Sequence, residues 1–169
     1  HHLEAHFDMA TAALISGLTN VVTVHADGLD SVYSGIGVGN NVHAIGHGAG
    51  YAKLSSQDCR NAIRTFHIEL IAEMAKKLAQ VPEGDGTMLD NTIVLYGSAH
   101  PHASHSGYNY PLQLAGGKNM GFKHGYQHEF VGDKKVPLSN LFVTMLQAMD
   151  IPAEKFADST GTLNQLLRA

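Results

Sequence analysis

Imidazole is the side chain that stands out in this sequence, and its spacing raises a definite chemistry. His100, His102 and His105 fall within six positions, directly after the apolar run "TIVLYG", and His43 and His47 stand four apart in a glycine-rich stretch. Neutral imidazole is the commonest side-chain ligand for zinc, copper, iron and nickel, and a site needs three or four ligands converging from separate segments. Five histidines in two loops can supply them; equally, they can be incidental residues of solvated loops, and spacing alone does not choose. On a helix His43 and His47 would share a face. Gly46, Gly48 and Gly50 argue against a helix there, and no Glu follows His43, so the H-E-x-x-H zinc logic does not transfer. His67 sits between Ile63 and Leu70/Ile71 at helical spacing, where a lone histidine reads first as a core residue. Ser98 lacks a G-x-S-x-G elbow, and "GIGVGNN" is not followed by the Lys-Ser/Thr of a phosphate loop, so both are set aside.

The elements that must position these residues alternate. Leu3, Phe7, Ala10, Leu14 and Leu18 recur at helical spacing, and "NVVTVHA" from Asn20 reads as a buried strand. Residues 26–54 hold seven glycines without sustained periodicity, a loop far longer than the usual four to six residues or so. The strongest helix follows, with Ser55 or Ser56 as N-cap and Ile63, Phe66, His67, Leu70, Ile71, Met74 and Leu78 on one face. "PEGDGTMLDN" turns the chain into the strand "TIVLYG", and "PLQLAGG" opens a second short strand after the histidine loop. A last helix starts at Pro137, carries Leu138, Leu141, Phe142, Met145, Leu146 and Met149 as its apolar stripe, and ends at Pro152. This alternation predicts an α/β layer architecture, a largely parallel sheet flanked by helices, with ligands gathering where loops leave the carboxyl ends of strands.

Bulk properties narrow the function classes. With 169 residues the chain is read as a single domain over 1–169. Charged residues make up 15% and the formal net charge is -4, with no Lys/Arg block, which gives no footprint for nucleic acid or an anionic membrane. No run is long and apolar enough to span a membrane. Cys59 is the only cysteine, so no intrachain disulfide can form. Twelve histidines outnumber the 11 Lys and Arg, so protonation near pH 6 would reverse the formal charge.

Three stretches, "LAQVPEGDGTMLDNTIVLYGS", "YPLQLAGG" and "VPLSNLFVTMLQAMDIPAEKFADSTGTL", resemble in order and spacing the C-terminal part of the bacterial HxxSHH-motif proteins. That is a family of unknown function, related to the sulfatase-like group of the alkaline-phosphatase superfamily and usually bearing an export signal. The resemblance runs from about residue 56 to 165, and "PEGDGTMLDN" and F-x-D-S-T-G are its most specific segments. The naming motif falls on His43-Ala44-Ile45-Gly46-His47-Gly48, with Gly46 in place of its serine and Gly48 in place of its last histidine. The family's loop, helix and pre-helix histidines match His105, His67 and His128. The phosphatase-like Ser-Asp-His-Gly segment aligns with Ser98-Ala99-His100-Pro101, where Ala99 replaces a metal-binding Asp.

The resemblance implies an alkaline-phosphatase-like layered fold, of which this chain is the C-terminal portion, in an exported, periplasmic or secreted protein. It implies a divalent transition metal, zinc first, with copper, iron or manganese as alternatives. The expected metal residues are His43, His47, His100, His102, His105 and His128, and the expected catalytic residues are His105 and His67. The expected reaction is metal-assisted hydrolysis of a phosphate or sulfate ester, small molecule or surface polymer, with histidine protonating the leaving group. The alternative is a non-catalytic relative serving as a binding or structural component of a cell-envelope complex. Gly46, Gly48 and Ala99 are what such a loss would look like.

Overall fold

The computed structural model describes residues 2–98, 105 and 110–168, which gather into two compact units. The first holds residues 2–81 with His105, and the second residues 82–98 and 110–168. His100 and His102, two of the expected metal residues, lie outside the described residues.

In the first unit α1 (His2–Ile15) and α3 (Ser56–Leu78) pack together. The α3 start follows from its sequence: the Ser55 side chain accepts from the Asp58 amide, and the Asp58 carboxylate accepts from the Ser55 amide, a closed capping box. Between the helices the chain makes a small antiparallel ribbon, β1 (Val32–Tyr33) and β2 (Val38–Asn41), and then a short helix, α2 (Val42–Gly46). Leu3, Tyr33, Val38, Ile45, Cys59, Ile63 and Phe66 form the core, so all these elements contribute to one apolar centre. Removing that area from water is what holds two helices and a two-stranded ribbon together.

In the second unit Pro82–Glu83 (β3) and Gly86–Thr87 (β4) form a tight hairpin, and a 3-10 turn, Met88–Asn91, is closed by a Thr87/Asp90 capping box. Then β5 (Ile93–Gly97) pairs with β6 (Leu112–Gly116), from Ile93 opposite Gly116 to Gly97 opposite Leu112. The last helix is α4 (Ser139–Ala148).

Two expectations are corrected. The parallel sheet of an alkaline-phosphatase-like layered fold is absent: the described residues form three two-stranded sheets, all antiparallel. The runs at 93–97 and 112–116 are strands as expected, but apolar, β-branched residues specify an extended chain and not the direction of its neighbour. "NVVTVHA" is not a strand. It runs as irregular chain without a pairing partner among the described residues, with Val21 78% exposed, because its β propensity meets no sheet on which to pack.

The α4 face also differs. Its buried residues are Ser139, Asn140, Leu141, Val143 and Thr144, so three polar side chains are turned inward. Each bonds the returning loop: Ser139 Oγ donates to Asp158 Oδ1 (2.6 Å), Asn140 Oδ1 accepts from the Thr160 amide (2.8 Å), and Thr144 Oγ1 accepts from the Leu163 amide (2.7 Å). The F-x-D-S-T-G segment thereby acts as a clasp on α4, where burial is tolerated because the polar groups are satisfied.

Candidate functional site

The site is built on α2. Asn41 caps it, its side-chain oxygen accepting from the Ala44 amide at 2.7 Å, and the loop before β1 holds the same end through the Val42 and His43 amides, which donate to Ser31 and Leu29 carbonyls at 3.0 Å. At the other end the Ile45 carbonyl accepts from Ser56 Oγ (2.9 Å) and Arg60 Nη1 (3.1 Å), both from α3. Ile45 itself is 1% exposed in the core. With the intervening residue anchored inward and both helix ends bonded, His43 and His47 are presented to solvent on one turn. Contrary to the expectation from sequence, the glycines do not bar a helix here: α2 covers Val42–Gly46 with His47 as its C-cap, Gly46 occupies helical backbone, and Gly48, at φ 101°, follows the helix end, where a left-handed residue terminates it.

His105 joins them. Its ring centroid lies 6.4 Å from that of His43 and 5.5 Å from that of His47, and the His43 and His47 rings are 4.6 Å apart. His43 and His105 face each other at an interplanar angle of 19°, with His47 edge-on to both. All three are exposed. His105 adopts φ 55°, in the left-handed region that histidine enters more often than most residues. The rings are gathered, but among the described residues no group of three or more His, Cys, Asp or Glu is arranged as it stands to hold a metal ion.

His67 stands elsewhere in the first unit, 4% exposed in the core, with its Nε2 2.7 Å from the Tyr33 hydroxyl. Tyr33 in turn donates to the Ala26 carbonyl (3.2 Å) and lies 3.4 Å from Asp27 Oδ2. Burial holds the His67 imidazole below its ordinary pKa, and the Asp27 carboxylate partly opposes this. Tyr33 was not singled out from sequence; a buried polar partner for His67 was implied only by the rule that core histidines are hydrogen-bonded. His128 belongs to the second unit, where it lines a cleft of its own.

Comparison with protein-family models, curated proteins and solved structures finds no match in any of the three. Gly46 and Gly48 leave open space beside the histidines: a Cβ at either would meet nothing within 4 Å. A serine at 46 fits the backbone as it stands, whereas a histidine at 48 would be strained by the positive φ. Among the described residues no helix is long and apolar enough to cross a membrane.

Proposed function

We propose that His43, His47 and His105 hold a divalent transition-metal ion and that the protein is a metal-dependent hydrolase of phosphate or sulfate esters. The observation that carries this reading is the gathering of three exposed imidazole rings, from two separate segments, with centroids within 6.4 Å of one another. Three imidazoles bound tetrahedrally to one zinc at 2.0–2.1 Å would have ring centroids roughly 5 Å apart, close to the spacing found. Holding one ion would require the rings to turn about their side-chain bonds. An all-nitrogen set matches zinc best, then copper or iron; manganese, which favours carboxylate oxygen, matches least.

Three neutral ligands leave the ion its full positive charge and a fourth coordination position, the pattern of catalytic rather than structural zinc sites. Bound there, the ion would supply charge stabilisation to an anionic ester. The exposure of all three rings leaves the site open to a small ester or to an ester on a surface polymer. The resemblance to the HxxSHH-motif proteins supports the same metal chemistry and an exported location, although its layered fold is not carried over. Gly46 and Gly48 favour the second reading, a non-catalytic component of a cell-envelope assembly.

The test is metal content by mass spectrometry after zinc loading and dialysis of the full chain, beside His43→Ala and His105→Asn variants. Asparagine tolerates the left-handed backbone at 105 while removing the imidazole. The expected result is about one ion per chain, lost in both variants, with hydrolysis of p-nitrophenyl phosphate or sulfate that follows the ion. Retained zinc with no turnover of either ester supports the assembly reading, and a chain that holds no ion overturns the metal site.

A further inference from the structure

The second unit contains a cleft of about 630 Å³, and His128, one of its lining residues, has an unsatisfied ring nitrogen. His128 Nε2 is buried and has no hydrogen-bond partner among the described residues. A buried polar atom left unpaired is destabilising, and native proteins retain such atoms chiefly where a ligand, ion or water completes them. Lys134 lines the same cleft and forms no ion pair among the described residues. Phe130, Val136 and Leu163 supply an apolar surface beside these two donors. The Leu163 amide donates to Thr144 Oγ1 at 2.7 Å, which ties this wall to α4. Glu129 is also present, accepting from Gln127 Nε2 at 3.0 Å, and it leaves one negative charge in the cleft.

We infer that this cleft binds the carboxylate of a small molecule with an apolar body, the His128 ring turning toward the cleft so that its Nε2 and Lys134 are the partners of the carboxylate. One ammonium and one imidazole N–H suit a singly charged planar anion. Glu129 in the same cleft disfavours a dianion such as phosphate. The apolar wall takes a short aliphatic or aromatic chain, and the volume falls in the range of small-ligand sites. The inference is independent of the metal site, since none of its residues is among the three gathered histidines.

The test is a long-range imidazole proton–nitrogen NMR titration of the full chain with 4-methylpentanoate at constant ionic strength, the His128 signal being assigned by its loss in His128→Leu. The expected result is a saturable shift of His128, weakened at least tenfold in Lys134→Ala, with the signals of His43, His47 and His105 unmoved. His128→Leu should keep the parent's thermal midpoint or exceed it, because it removes an unpaired buried nitrogen. Should that variant fail to fold, Lys134→Ala, altered only at an exposed side chain, still decides the matter. Three outcomes overturn the inference: no saturable shift, a shift as large with the uncharged 4-methylpentanamide, or tighter binding of inorganic phosphate than of the carboxylate.

Discussion

His67 shows how one side chain links packing to pH. Its burial against Tyr33 disfavours the charged imidazole, so its folded pKa lies below its unfolded value. Below about pH 6.5 the unfolded chain therefore binds a proton that the folded chain resists. The stabilisation from neutral His67 is complete above that pH and declines as pH falls toward the depressed folded pKa, by at most about 1.4 kcal/mol per unit. His67→Gln, which can keep a bond to the Tyr33 hydroxyl but does not titrate, should flatten this part of the acid slope. Urea denaturation of both proteins between pH 7.5 and 5 measures it; identical slopes would remove His67 as the cause. The core reading of His67 was legible from its place between Ile63 and Leu70. Its bond to Tyr33 was not, because 34 residues separate the partners.

At the scale of elements, α2 and α4 depend on polar bonds that hydrophobic patterning does not encode. Arg60 and Ser56 both donate to the Ile45 carbonyl and so set the direction in which α2 presents His43 and His47. Arg60→Met keeps the aliphatic stem and removes the guanidinium. Zinc affinity by calorimetry should fall roughly tenfold, in line with losses at groups that orient metal ligands, while global stability changes by less than about 1 kcal/mol. For α4, Thr144→Val preserves shape but leaves the buried Leu163 amide without its acceptor. The expected loss is about 1–3 kcal/mol in urea unfolding, more than a surface substitution gives. Some of these positions were readable: Ser55, one of two N-cap candidates, caps α3, and the apolar runs at 93–97 and 112–116 are β5 and β6, whereas the run from Asn20 is no strand. The short helix α2 was hidden because its stability comes from the Asn41 cap and the anchored Ile45 rather than from its own propensity.

For the whole molecule, metal binding should appear as stability. An ion held only by the folded chain adds about 2.7 kcal/mol when free zinc is 100 times its dissociation constant. Urea unfolding with zinc and with chelator should show that difference in the parent and none in His43→Ala. Because imidazole binds metal only when neutral, the zinc increment should shrink toward pH 5. From its sequence alone the chain declared a histidine-rich composition, its longer helices, the apolar strands at 93–97 and 112–116 and the lack of a Lys/Arg block. These follow from local composition and periodicity, which act over a few residues. Only the tertiary structure decided that the strands pair antiparallel, that the F-x-D-S-T-G loop clasps α4, and that His105 meets His43 and His47 across 58 and more residues of chain. Such contacts are set by burial and hydrogen-bond satisfaction between distant segments, and no local pattern records which segments will meet.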